Sequence, residues 1–242
     1  MQPRFTLSAM ITISTETTVG EIVRATPAHA RVFERLGIDY CCGGKKSLAN
    51  ACRAKGLEPT TVVALLSALG CDGPANGAVD VDALSLSELC DHIEKTHHGY
   101  LREELPRLDF MTRKVAAVHG DHEPRLRDVR QVFEAFSAAM LSHTREEEQE
   151  VFPLIRRLES SSDVSGQATD LKARLDKLEV EHDQAGAALE RFRELTDNFV
   201  PPEWACNTFR ALYDTLAKLE SETHQHVHKE YNVLFPKALA AA

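Results

Sequence analysis

The sequence predicts an all-α protein: a small N-terminal helical domain followed by a four-helix bundle. Hydrophobic residues make up 43% of the 242-residue chain but aromatics only 6%, and alanine and leucine, strong helix formers, dominate the apolar positions. After residue 84 come four long segments in which apolar residues recur at steps of three and four, the period of one helix face. The pattern His-x3-Glu-x4-Phe-Pro is also written twice, as His143, Glu147, Phe152, Pro153 and as His226, Glu230, Phe235, Pro236.

Residues 1–14 read as a flexible tail. Arg4 and the mixed stretch from Phe5 to Ile13 lack the apolar core and small-residue cleavage site of a signal peptide. Residues 15–70 form the small domain. Thr18 with Glu21 makes a capping box. Thr26 precedes Pro27 at a first helical position, the run Ala28 to Leu36 follows, and Gly37 closes it. A further helix runs from Ser47 to Lys55 and stops at Gly56. Another starts near Pro59, carries Val62, Val63, Leu65, Leu66 and Leu69, and ends at Gly70. Before the Ser47 helix lies Asp39-Tyr40-Cys41-Cys42-Gly43-Gly44. Residues 71–84, with Asp-Gly-Pro and Asn-Gly, read as a linker.

The bundle occupies residues 85–242, with helices expected over Ser85–His119, Pro124–Leu158, Ser165–Asn198 and Pro202–Leu239, and Pro106 as a kink or local break in the first. In the second helix Phe133, Phe136, Met140, His143, Glu147, Val151 and Leu154 share one stripe. In the fourth, Phe209, Leu212, Leu216, Leu219, Thr223, His226, Glu230 and Val233 do the same. In the third, His182 continues Leu171, Leu175 and Leu178. The first helix is ambiguous: counting forward from Leu86, Leu89 and Ile93 leads to His97, whereas counting back from Leu108, Leu105 and Leu101 leads to His98. Either way, each helix turns a histidine inward, and two add a glutamate.

A single inward histidine is ordinarily a hydrogen-bonded core residue. Four, joined by two carboxylates with no lysine or arginine on their stripe, are harder to accommodate, since an unpaired buried charge costs several kcal/mol. Two cations would supply the countercharge. Imidazole and carboxylate ligands in a four-helix bundle suit non-haem iron. Two glutamates from opposite helices can bridge two metals about 3.5–4 Å apart, leaving positions open to a small molecule.

Other residues carry weaker expectations. His224 and His228 lie off the stripe, His119 and His122 fall in a Gly-Asp loop expected to be solvated, and Glu146 and Glu148 read as a wet helix face. Glu181, beside His182, is a candidate to orient a ligand or carry protons. Cys41 and Cys42 are candidate exchange thiols in a glycine-freed turn, while Cys52, Cys71, Cys90 and Cys206 read as ordinary. Six cysteines in a chain this long are too sparse for a secreted disulfide framework, so a cytoplasmic location is expected. The net charge of −9 and the lack of a basic stripe speak against nucleic-acid binding. No run of about 18 apolar residues is present to span a membrane.

These residues together resemble the iron-sulfur cluster repair di-iron proteins, also called the repair of iron centres family. The resemblance rests on Asp39-Tyr40-Cys41-Cys42-Gly43-Gly44 ahead of a hemerythrin-like bundle. It extends through Asp91-His92-Ile93, Glu104-Leu105-Pro106, Glu181-His182-Asp183, Pro201-Pro202-Glu203 and Asn232-Val233-Leu234-Phe235-Pro236. It implies a hemerythrin-like four-helix bundle with an oxo- or hydroxo-bridged pair of iron ions held by His98, His143, Glu147, His182, His226 and Glu230, choosing His98 over His97. It further implies repair of clusters damaged by nitrosative or oxidative stress, with the protein as iron donor and nitric oxide-binding protein. Nitric oxide reduction or scavenging, or a gas sensor or carrier, are the alternatives. The implied partners are nitric oxide or oxygen and damaged iron-sulfur proteins, with a homodimer left open.

Overall fold

A computed structural model of the chain describes residues 12–69, 79–160 and 167–242. The start of the expected tail, the stretch 71–78 of the expected linker with Cys71, the helix stop at Gly70 and the helix start at Ser165 lie outside these residues. The chain divides into two compact units, Met1–Asp82 and Ala83–Ala242. The fold is all-α, with one isolated bridge, Thr18 to Ser47, and no strand among the described residues.

In the first unit, α1 (Val19–Ala25) starts at the expected capping box: Thr18 Oγ1 accepts from the Glu21 N–H, and Glu21 Oε2 accepts from the Thr18 N–H. A 3-10 turn over Pro27–His29 leads into α2 (Ala30–Leu36), closed by Gly37 in the left-handed region at φ 65°. After the Cys-Cys-Gly-Gly turn come α3 (Leu48–Ala54), capped by Ser47, and α4 (Pro59–Ala68). Ile22, Phe33, Tyr40, Leu48 and Leu66 are buried at the centre of this unit. The carbonyls of Gly44 and Lys46 accept from the N–H groups of Gly20 and Val19. The first turn of α1, whose N–H groups have no partner within the helix, is therefore satisfied by the turn that carries the two cysteines.

The second unit contains α5 (Leu86–Ile93), α6 (Gly99–His119), α7 (Arg125–Glu146), α8 (Phe152–Ser160), α9 (Gln167–Leu195), α10 (Asn207–Lys229) and α11 (Phe235–Ala241). Three of the four expected long helices are composite. Wide π turns at Glu94–His98, Glu147–Val151 and Glu230–Leu234 join α5 to α6, α7 to α8 and α10 to α11. In each, an N–H reaches back five residues: Gly99 to Glu94, Phe152 to Glu147, Phe235 to Glu230. Of the kink or local break expected at Pro106, the break is not there. The helix runs through it, with both Pro106 and Arg102 exposed, so the carbonyl that proline frees four residues back can take water. The fourth helix starts at Asn207 rather than Pro202. The third ends at Leu195, where Asp197, Asn198 and Phe199 take positive φ angles of 50°, 59° and 62° and reverse the chain. Away from the π turns the interior is apolar, centred on Leu108, Phe133, Phe192, Phe209, Leu216 and Leu219. Each such fully buried side chain contributes about 1.5–3 kcal/mol relative to exposure.

Candidate metal centre

The three π turns begin or end on residues of one buried cluster. His98 closes the first turn, and Glu147 and Glu230 open the other two. His143 and His226 stand one α turn before the glutamates, and His182 comes from the regular helix α9. All six are buried, with Glu147, Glu230 and His98 fully so. They form two four-residue groups that share both glutamates: His98, His226, Glu147 and Glu230, and His143, His182, Glu147 and Glu230.

The oxygens are divided between the groups. Glu147 Oε2 lies 3.3 Å from His98 Nε2 and Oε1 lies 3.3 Å from His143 Nε2. Glu230 Oε1 lies 2.7 Å from His226 Nε2 and Oε2 lies 3.1 Å from His182 Nε2. The Nε2 atoms of His98 and His226 are 3.1 Å apart, as are those of His143 and His182. Two donors at right angles on one cation, with bonds of about 2.1 Å, stand about 3.0 Å apart. Each imidazole pair therefore has the spacing of two neighbouring ligands on one metal, and each carboxylate the orientation of a bridge.

Both oxygens of Glu147 and Oε2 of Glu230 are buried without a hydrogen-bond partner, and among the described residues neither carboxylate is paired with lysine or arginine. Orphaned carboxylate oxygens of this kind are costly unless a cation meets them. The residues thus fit a pair of metal ions. Burial pushes His98 and His143 down, but Glu147 and Glu230, with Glu181 at His143, outweigh it and raise them to about 10 and about 9. Burial would raise Glu230, yet the histidines around it, His226 foremost, hold it well below the carboxylate range.

A family model described as the hemerythrin HHE cation-binding domain matches residues 91–238. A second, for the ScdA N-terminal domain, described as a domain of unknown function, matches residues 15–70. The iron-sulfur cluster repair protein ScdA of Staphylococcus haemolyticus is 35% identical over 93% of this chain and 99% of its own. The iron-sulfur cluster repair proteins YtfE of an Enterobacter species and of Escherichia coli O1:K1 are each 34% identical over 92% of this chain and 96% of theirs. The chain belongs to the iron-sulfur cluster repair family of hemerythrin-domain proteins. In this member of the family, the buried His/Glu groups lie within the region matched to the cation-binding domain.

The geometry also explains why the repeated motif ends in Phe-Pro. The ring of Phe152 stacks on His98 at 5.7 Å, and that of Phe235 stacks on His182 at 6.0 Å. Each motif thus steadies a histidine on a helix that lacks the motif. The prolines follow at once. Having no N–H, Pro153 and Pro236 cannot bond to the carbonyl four residues back, so a turn widened by one residue loses no α hydrogen bond there. The π turn also resolves His97 against His98. Its extra residue lets both point inward, and only the His98 nitrogen joins the cluster. His97 stacks on His226 at 5.4 Å, and its Nε2 lies 2.7 Å from Lys229 Nζ. Burial, with His226 and Lys229 nearby, lowers His97 to about 2.

Two carboxylates orient cluster histidines from behind. Glu181 accepts from His143 Nδ1 at 2.8 Å, in the place expected for it. Glu148 accepts from His98 Nδ1 at 2.8 Å and from Arg102 at 2.6 Å. Glu148 is a correction, having been read as part of a wet face; Glu146, read the same way, is also half-buried and pairs with Lys177. By contrast the Nδ1 atoms of His182 and His226 are buried without a hydrogen bond. Between α7 and α9 a groove of about 570 Å³, walled by alanines such as Ala139, Ala185 and Ala188, reaches His143 and His182.

The other candidates stay outside the cluster. His224 is half-buried, and His228 is buried and contacts Asn232 at 3.2 Å. His122 is exposed as expected, but His119 is half-buried at the end of α6, against Trp204 and Phe209, with Nε2 3.3 Å from Cys206 Sγ. Cys52 and Cys90 are buried and Cys206 is exposed. In the first unit Cys41 is buried and Cys42 half-buried, with their sulfurs 3.9 Å apart.

Proposed function

We propose that the protein is a di-iron protein of iron-sulfur cluster repair, acting in the cytoplasm on clusters damaged by nitrosative or oxidative stress as an iron donor that also binds nitric oxide. The observation that carries this reading is the pair of imidazole sets sharing two carboxylates, each of which turns one oxygen to each set. Two iron ions there would supply redox electrons, Lewis acidity and coordination positions open to a diatomic ligand. The chain's own residues would do the rest. Glu147 and Glu230 would hold the ions and neutralise their charge, His98, His143, His182 and His226 would complete the sets, Glu148 and Glu181 fix the rings whose Nδ1 they hold, and Phe152 and Phe235 would keep out water. A cytoplasmic site of action is supported by the sparseness of the cysteines, six in 242 residues. The partners in this reading are damaged iron-sulfur proteins and nitric oxide or oxygen, with neither nucleic acid nor membrane, and with assembly as a homodimer compatible.

The names of the relatives support repair, and the fit of the cluster supports iron. The test is transfer of iron from loaded protein to an apo-cluster protein, with reconstitution read by cluster absorbance. Transfer lost in Glu230→Ala is expected, and a loaded protein that transfers nothing would overturn the donor role. The groove that reaches His143 and His182 favours a second reading, turnover of nitric oxide. Sustained nitrous oxide formation beyond one stoichiometric round with reductant would support it.

A further inference from the structure

The turn before α3 is built around one side chain. Asp39 Oδ1 accepts from the Cys41 N–H at 2.9 Å and Oδ2 accepts from the Gly43 N–H at 2.8 Å. The fit is close enough that a Cβ on Gly43 would stand 2.8 Å from the Asp39 carbonyl oxygen and 3.0 Å from Oδ2. Further on, the Gly44 N–H reaches the Cys41 carbonyl and the Lys46 N–H reaches that of Gly43, while the carbonyls of Gly44 and Lys46 are held by the start of α1. A turn tied down at so many points presents its side chains in one arrangement.

That arrangement brings three potential ligand atoms together. Cys41 Sγ lies 3.1 Å from Asp39 Oδ1 and 3.9 Å from Cys42 Sγ, and the three groups converge within 4.8 Å. Two thiolates on a tetrahedral cation, with metal–sulfur bonds of about 2.3 Å, have their sulfurs about 3.8 Å apart. The adjacent cysteines are thus already spaced as a chelate. We infer that Asp39, Cys41 and Cys42 form a second metal site, distinct in chemistry from the bundle centre, which takes a single thiophilic divalent cation.

The electrostatics agree. A hydrogen bond with Cys42, burial and the Asp39 carboxylate hold the Cys41 thiol well above its usual range, so without metal Cys41 keeps its proton. Loading replaces two S–H bonds by two metal–sulfur bonds, gives two protons to solvent and involves no change of oxidation state. The S–H donor to Asp39 Oδ1 is lost in the same step, which frees that oxygen for the cation. Asp39 is exposed and Cys42 half-buried, so the position left over from three ligands faces water, the form of a site made for exchange rather than for holding structure. Ferrous iron, one ion at a time, is the cargo such a site would carry in a repair protein. That assignment rests on the proposed function, while the site itself does not.

The experiment is a cadmium titration of the full chain with its bundle already loaded with iron, followed by the ultraviolet thiolate-to-cadmium absorption. The bundle cluster contains no sulfur and cannot produce this band. The band is expected to saturate at one cadmium per chain with proton release. It should vanish in Cys41→Ser/Cys42→Ser, persist in Cys71→Ser/Cys206→Ser, and need at least about 10-fold more cadmium in Asp39→Asn. No band in the unsubstituted protein, or a band that survives Cys41→Ser/Cys42→Ser, would overturn the site. Iron content and iron transfer, measured on the same samples, report on the bundle separately, so failure of the repair reading and failure of this site give different results.

Discussion

In the half of the bundle around Phe133, Phe192 and Phe209, the helices keep their α spacing and the inward side chains are almost all apolar. In the half around Glu147 and Glu230, three of the four helices widen by a residue and the inward side chains are ionisable. Burial of apolar surface is non-directional, so a plain stripe at steps of three and four satisfies the first half. Ligation is directional. Glu147 must face two histidine pairs at once, while Phe152, five residues on, must reach the ring of His98. An unbroken α register does not aim both, and the π turn supplies the difference, as such bulges often do at functional sites.

Substitutions in the two halves should separate metal binding from stability. The largest effect is expected from Glu230→Ala, which removes an oxygen from each histidine pair and should empty both in metal analysis; retention of one ion would show that the carboxylate is not shared. Phe133→Ala in the other half should lower unfolding free energy in denaturant by about 3–5 kcal/mol while leaving metal content per folded chain unchanged. Glu148→Gln, which slackens the hold on His98 without emptying the site, should weaken metal affinity by about 10–100-fold in a chelator competition.

Acid–base behaviour offers a further contrast. In metal-free protein His98 and His143 are raised to about 10 and about 9 from 6.5. The stability they contribute is complete below the unfolded value and disappears as pH rises through the folded ones. Denaturant unfolding of metal-free protein should therefore show falling stability from pH 6.5 to 10. Metal-loaded protein should not follow it, because ligated imidazoles carry no such proton. The smallest effect is expected from Pro153→Ala, which restores an N–H to the ladder and favours an ordinary turn. Metal affinity should fall by less than about 10-fold, with no loss of stability.

The apolar half was readable because its rule is periodic, and five of the six cluster residues because two carboxylates on an apolar stripe lack a basic partner; His98 was chosen over His97 only by the family resemblance. The π turns left one trace. The count forward from Ile93 and the count back from Leu101 disagree by one residue, which is the phase slip that a widened turn introduces between α5 and α6. The sequence offered no equivalent clue to Glu148. It sits in an acidic run indistinguishable from a solvated face, and only the approach of His98 and Arg102 from α6 and the turn before it gives it a role. At Pro106 the choice between kink and break was not legible, because a proline's effect depends on whether water can reach the carbonyl it frees, a tertiary property.

The span between cluster partners has a consequence for how the protein comes into being. His98 and His226, whose nitrogens meet at 3.1 Å, are separated by 128 residues, and the shared Glu230 is the last of the six in chain order. Contacts of such long range form late, after loop-closure entropy has been spent. During synthesis the chain therefore passes through lengths at which its helices can begin to fold but no complete set of donors exists. Under the proposed function, metal capture would be a late checkpoint in maturation: ions held at the two pairs would report that all four helices have docked.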